Sequence, residues 1–424
     1  MKQGHFLPAD ILLPRPQTDL NRFAVVACDQ YTAQPDYWKR VEEKTKGFLS
    51  AYHMIFPELY LAKLQKDPAA FEKKVASIND AMEQALQQDC LYSLENSMIY
   101  TERVLSSGAV RKGLIGRIDL EEYDFLSEKK NYIRATEGTI LERIPVRVQI
   151  RKKAPMEFPH VMLLADDRKH PLLAPLSEQK NSFEPLYDFD LMEHGGHLRG
   201  WKLSDKAISS FLETLSLLEQ DERENSGEER PMLFAVGDGN HSLAAAKACY
   251  EELKLTVGEE QAKAHPARYA LTELVSLYDS SLEFEGIHRI IRCDEKELWA
   301  HLEQELKPEE IEEMEEVLSF CFVSKGVKRA YRITAPTHRL AVGCVQNFLD
   351  KYQKTHFCEL DYVHGETVVT ELTQQGNAVG FLLPSLEKRE LFPAVMADGA
   401  LPRKTFSMGE AQDKRFYLEG RKIK

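Results

Sequence analysis

The stretch Pro231-Met232-Leu233-Phe234-Ala235-Val236-Gly237-Asp238-Gly239-Asn240-His241-Ser242 sets the fold class of this 424-residue chain. Its first six residues form a compact apolar run of the kind that makes a buried strand. Gly-Asp-Gly then permits positive φ and close backbone approach. Ser242 to Leu253, rich in Ala, Lys and Glu, predicts a helix. A strand that opens into a helix through Gly-x-Gly presents unpaired N–H groups and a positive partial charge, and so makes an anion trap. Asn240 and Ser242 can cap that terminus or donate to a phosphate. Asp238 and His241 add a metal ligand or base and a general acid. Gly237, Gly239, Asn240 and Ser242 are therefore expected to bind phosphate, and Asp238 and His241 to carry chemistry. The plainer reading is a capped helix start with no ligand; Asp, Asn, His and Ser crowded after a buried strand favour function.

Three familiar phosphate-handling signatures are excluded. The run differs by one residue from G-x-G-x-x-G, but no strand ending in an acidic residue follows about 20 residues on. That region, Val257-Gly258-Glu259-Glu260-Gln261, is polar and helical in pattern. The turn also sits past mid-chain, so a nicotinamide enzyme is not expected. The Walker pattern G-x-x-x-x-G-K-[ST] and the protein-kinase signature set are absent.

Composition bounds the rest. At 43% hydrophobic and 29% charged the chain is an ordinary globular protein, able to build a core of normal size. A formal net charge of -13 disfavours binding to nucleic acid or to anionic membranes, though a local basic pocket for a small anionic metabolite remains open. The seven cysteines are odd in number and lack C-x-x-C spacing, so reduced, mostly buried thiols are expected. No signal-like N-terminus and no run of 18 apolar residues occurs, which predicts a cytoplasmic protein without a transmembrane helix.

The periodicities predict an α+β chain of mixed sheets with packed helices in three parts: 1–125, a catalytic core at 126–290, and 291–424. Strands are expected at 23–28, at 98–105 and 111–120 around the turn Ser106-Ser107-Gly108, and at 160–165. Helices are expected over 69–88, and from Pro145 to before Pro155. Gln220 to Arg230, polar and containing Ser226-Gly227, reads as an exposed loop. Glu295 to Glu316 reads as a helix interrupted at Pro308, residues 319–346 as short strands, then a helix ending near Gly376 and a strand at 379–383.

A second polar constellation lies at 134–151. Arg134, Glu137 and Thr139 fall in a loop between elements, where functional groups concentrate, and a carboxylate held there can deprotonate a substrate hydroxyl. Arg143, Arg147 and Arg151 share one helical face, suited to gripping anions or simply solvated. The His194-x-x-His197 pair lacks a clear third metal ligand and reads as an exposed Gly-rich loop. His288 reads as a hydrogen-bonded, half-buried histidine. Lys404, in Pro402-Arg403-Lys404-Thr405, reads as a surface turn able to bring a cation to an anion.

Five pieces, in this order, give the chain its resemblance to a known family: Ala27-Cys28-Asp29-Gln30-Tyr31, Ile133-Arg134-Ala135-Thr136-Glu137-Gly138-Thr139, the turn 237–242, Asp361-Tyr362-Val363-His364-Gly365 and Leu401-Pro402-Arg403-Lys404-Thr405-Phe406. The chain resembles domain-of-unknown-function family 1015 along nearly its whole length. That family looks distantly related to the ParB/sulfiredoxin-like fold, whose members include a nucleotide-dependent free serine kinase. The resemblance implies a ParB/sulfiredoxin-like core, ATP or ADP with Mg²⁺ as cofactors, and a phosphate role for 238–242, with Asp238 a possible Mg²⁺ ligand. In the kinase-like members the turn reads Asp-Gly-His-His-Arg. Here Asn240 replaces the first His and Ser242 the Arg, which leaves phosphate charge uncompensated at the turn; Arg134, Arg143 or Lys404 can supply the positive charge instead. Glu137, placed by its setting, is the candidate base.

The expected function is phosphoryl transfer between a nucleotide and a small hydroxylated acid. The resemblance points to serine metabolism, with serine or phosphoserine as ligand. Hydrolysis of a phosphomonoester such as phosphoserine is the second enzymatic reading, and a nucleotide-sensing, ParB-like regulator is the non-enzymatic one.

Overall fold

The apolar run becomes the strand Phe234–Asp238, buried through Val236. Met162–Ala165 runs antiparallel on one side of it and Ile133–Ala135 parallel on the other. The computed structural model describes residues 5–125, 130–139, 141–315, 317–374 and 377–424. Among these, the three strands belong to a ten-stranded mixed sheet. Its order is 184–190, 197–202, 99–104, 110–119, 269–276, 162–165, 234–238, 133–135 and 123–124, with Phe6–Leu7 pairing 110–119.

Alternation along these strands serves two cores, because successive side chains point to opposite faces. Tyr100, Leu114, Ala270 and Leu274 join Phe234 and Val236 in one core, under the helices Asp205–Ser226 and Asn240–Val257. Ile99, Ile115 and Leu271 face the other core, with the helices Pro35–Thr45 and Pro68–Gln87.

The chain divides into two compact units. Unit 1 comprises 1–135, 139–282 and 410–424; unit 2 comprises 136–138 and 283–409. The boundaries expected at 125 and 290 fall inside unit 1 and unit 2 respectively. Unit 2 holds a six-stranded antiparallel sheet ordered 308–311, 327–333, 319–324, 378–382, 288–292 and 359–363. The helices Glu295–Leu306, Ala341–Thr355, Glu366–Gln374 and Lys388–Asp398 accompany it. The α+β class is as expected.

Several local expectations are corrected. Gln220 to Ser226 is not loop but the last turns of Asp205–Ser226. Its polar residues are good helix formers tied by Arg223–Glu219 and Gln220–Glu224 contacts, and Gly227, at φ 67, ends the helix as its left-handed cap. Pro308 opens a strand, Pro308–Ile311, where a proline at the first position withholds no ladder donor. The run 23–28 yields only a two-residue strand, Val25–Val26, and residues 341–346 are helical. The expected helix end near Gly376 lies outside the described residues. Of the seven unpaired cysteines only Cys344 is buried; the others are half-buried.

Residues 410–424 return into unit 1 as a strap. Phe416–Tyr417 pairs with Val25–Val26, and Arg421–Lys422 with Met156–Glu157. Buried Arg415 bonds Glu273 at 2.9 Å, Glu419 at 2.6 Å and the Pro159 carbonyl at 3.0 Å. Among the described residues no helix is long and apolar enough to cross a membrane.

Candidate phosphate-binding site

The turn lies in unit 1. Gly239 is the N-cap of the helix Asn240–Val257, at φ 80 and ψ 21, and no side chain caps that helix. A glycine N-cap brings no side-chain oxygen of its own to the amides of the first turn. A Cβ at Gly239 would lie 3.0 Å from the Val161 Cα, so glycine is required both by conformation and by space. Gly239→Ala should therefore cost about 1–2 kcal/mol for the left-handed backbone alone, and more for the clash. A urea melt checks this; an unchanged midpoint would contradict the geometry.

Gly237, Asp238, Asn240, His241 and Ser242 are half-buried, and Gly239 is buried. Asp238 accepts from the Gly239 N–H at 2.9 Å on Oδ1, and Oδ2 lies 3.2 Å from the Lys414 ammonium. Asn240 directs Nδ2 to the Val236 carbonyl at 3.4 Å, and its buried Oδ1 has no hydrogen-bond partner. Ser242 Oγ lies 3.3 Å from His160 Nε2. His160 Nδ1 meets the Tyr417 hydroxyl at 2.7 Å, and Asp29 Oδ2 lies 3.9 Å from Nε2. Burial works against the Asp29 carboxylate, but His160, a hydrogen bond from Gln30 and Lys414 together hold it below the ordinary range.

A cavity of about 150 Å³ adjoins the turn. Ser242, His160, Tyr417, Glu58 and Arg147 stand in a largely apolar lining. Arg147 is brought there by the helix Ile144–Lys152, whose Ile144 and Val148 pack on Ala244 and Ala245. It pairs with Glu58. Burial raises the Glu58 carboxyl; Arg147 and His160 oppose this and Asp29 adds to it. A larger cavity of about 820 Å³ lies between the helices Pro68–Gln87 and Ile144–Lys152, lined in part by Val75, Asn79, Val146 and Lys153, and touches none of the turn residues.

Burial, then Arg147 and Arg143, lower His241 to a pKa of about 4. At neutral pH it is a neutral imidazole, suited to accepting a proton or a hydrogen bond and not to serving as a charged acid. A depressed histidine value means that the unfolded chain binds more protons between about pH 4 and 6.5. Stability therefore rises with pH across that window and is flat above it. His241→Asn should remove that slope; an identical slope in pH-dependent denaturation would contradict the burial argument.

The remaining expected residues have separate placements. Arg134 is buried, bonded to Glu228 and to the carbonyls of Asn131 and Arg230. Thr139 keeps a buried Oγ1 without a hydrogen-bond partner. Arg143 is exposed, its carbonyl accepting from Arg147 at 3.0 Å. Arg151 pairs with Glu157. His197 sits between Asp188 and Asp190, and buried His288 accepts from the Leu383 N–H at 3.2 Å.

Glu137 and Lys404 belong to unit 2. There Glu137 bridges to Leu401, with Leu401 N–H donating to the Thr136 carbonyl at 2.8 Å and Gly138 N–H to Leu401 at 3.2 Å. Lys404, exposed at φ 60, lies three residues further on. Fully buried Arg289 donates to Gln346 and to the Arg403 carbonyl, and stands over the Tyr362 ring. Burial lowers Arg289 to about 10, while Tyr362 and Glu137 pull it upward.

Among the described residues no three His, Cys, Asp or Glu side chains gather to hold a metal ion. At Asp238 both oxygens are engaged, one by an amide and one by the Lys414 ammonium. These donors do not fit a resident Mg²⁺ there, since a lysine already neutralises the carboxylate. Sequence reasoning missed Asp29, Glu58, His160, Lys414 and Tyr417. Asp29 lay in a quoted family motif; the other four carry no local signal.

A family model described as a protein of unknown function (DUF1015) matches residues 11–352. No curated protein matches the chain. Among solved structures, a free serine kinase in complex with AMP is similar at 12% identity, covering 72% of this chain and 91% of that one with a TM-score of 0.39. A conserved hypothetical protein from Pyrococcus furiosus is similar at 12% identity, covering 73% and 94% with a TM-score of 0.36. SbnI with a C-terminal truncation, from Staphylococcus aureus, is similar at 12% identity, covering 70% and 82% with a TM-score of 0.37.

Proposed function

This chain belongs to the DUF1015 family, and on that premise we propose that it transfers a phosphoryl group between a nucleotide and a small hydroxylated acid such as serine, on a ParB/sulfiredoxin-like core. The observation that carries the reading is the helix start at Asn240, which has a glycine N-cap, no capping side chain and a cavity beside Ser242. A helix N-terminus with a glycine N-cap suits a phosphate, whose oxygens can stand where a capping side chain would. Lys414, Arg143 and Arg147 contribute positive charge around the turn, in place of the arginine that Ser242 displaces. In this reading catalysis is positioning and electrostatics, with neutral His241 beside the transferred group. The hydroxyl needs a carboxylate base, for which Glu137 is the candidate. No step is assigned to a protein-held metal.

The test is incubation with ATP or ADP and serine, read by phosphorus NMR. The reading expects phosphoserine and the matching nucleotide product. Phosphate released from phosphoserine without nucleotide would transfer the reading to hydrolysis, and nucleotide binding without turnover to a sensor. Neither binding nor turnover would remove it.

A further inference from the structure

Ser242 and His160 invite comparison with an activated serine nucleophile, but the hydrogen-bond chain behind them runs the other way. The far end is the backbone N–H of Cys28, which can only donate, and it donates to the Tyr417 hydroxyl at 3.1 Å. Tyr417 is buried, and burial keeps its phenol well above the ordinary value, so the proton stays on oxygen. Two acceptors adjoin that proton: His160 Nδ1 at 2.7 Å and the Cys28 thiol. A thiol sulfur is a weak acceptor and an imidazole nitrogen a strong one, so the proton goes to Nδ1. His160, 5% exposed, must then carry its own hydrogen on Nε2. That nitrogen faces Ser242 Oγ at 3.3 Å and Asp29 at 3.9 Å. Ser242 receives a hydrogen bond from His160 and retains its own proton beside the cavity.

We propose that Ser242 is a hydrogen-bond donor to the bound anion and not a nucleophile, and that His160 and Tyr417 are the positioning residues that fix it in that sense. The inference rests on the phosphate-binding reading of this same turn. It names the ligand atom that Ser242 meets, an anionic oxygen with a free lone pair, and it excludes a phosphoseryl enzyme. An Nε2 that already holds a hydrogen cannot take the serine proton.

The test has two arms. The first labels histidine rings with nitrogen-15 in the full chain without ligand, and assigns His160 by its loss in His160→Gln. A hydrogen on Nε2 is expected; an Nδ1–H tautomer with a bare Nε2 would overturn the assignment. The second titrates ADP into the wild type, Ser242→Ala, His160→Leu and His160→Gln. Ser242→Ala and His160→Leu should each weaken ADP by about 10- to 100-fold, the range for a hydrogen bond to a charged group. Gln offers an N–H where Nε2–H stood but no basicity, so it should restore most of the affinity lost in the Leu variant. Gln as weak as Leu, or a phosphoserine trapped at 242 by acid quench, would overturn the proposal. A folded wild type with the Nε2–H tautomer that ignores ADP would instead reject the phosphate reading and leave the tautomer assignment standing.

Discussion

Arg415→Ala is expected to lose about 3–5 kcal/mol of stability, the range for removing one partner of a buried ion pair. Few domains hold more than about 5–15 kcal/mol in reserve. The arginine bonds two buried carboxylates, Glu273 and Glu419, and a main-chain carbonyl, so its removal leaves charge with no route to water. It also releases the strap that brings Lys414 and Tyr417 to the turn. Burial pushes Glu273 up, but Arg415, Arg111 and Arg103 together hold it below the ordinary carboxylate range. A depressed carboxylate stabilises the fold above its unfolded pKa, and that contribution fades as pH falls through the folded value. The deficit of the variant should accordingly be largest near neutral pH and shrink in acid, where the orphaned Glu273 takes a proton. Denaturant melts at pH 7 and pH 5 check both statements. A loss below about 1 kcal/mol, the scale of a surface pair, would show that the strap does not hold unit 1 together.

Glu137→Gln should lower turnover by roughly 10²-fold or more if Glu137 is the base, with nucleotide affinity little changed. Glu58→Gln is the informative partner. Glu58 lines the cavity at Ser242, and its carboxyl is raised by burial, a disposition that also suits proton transfer. If turnover falls only in Glu58→Gln, the base is reassigned to Glu58. The amide preserves shape in both variants, so a melt that matches wild type separates lost chemistry from lost folding.

What could be read from sequence was local. Phe234–Asp238 and the helix after it follow from an apolar run, two glycines and a helix-forming tail within two dozen residues. The hairpin around 106–108 and the helix Pro68–Gln87 are equally short-range. The setting of the turn was not legible, because it is assembled from distant segments: Asp29 and Glu58 from the first sixty residues, His160 from a loop before a strand, Lys414 and Tyr417 from the terminal strap. Their roles arise from pairings with no sequence period. Arg147 and Arg151 lie on the helix Ile144–Lys152 and Arg143 is its N-cap, yet the periodicity of the three does not reveal that Arg147 and Arg151 each meet a carboxylate. The loop expected at 220–230 failed over 220–226 for the converse reason. Polarity marks exposure, and an exposed helix end made of Glu, Arg and Gln is as polar as a loop.

A crystal structure of the full chain with ADP tests the central claim most directly. The account predicts a phosphate group at the amides of Asn240, His241 and Ser242, with one of its oxygens within about 3 Å of Ser242 Oγ. Nucleotide phosphates seated elsewhere, with that helix start empty at saturating ADP, would contradict it.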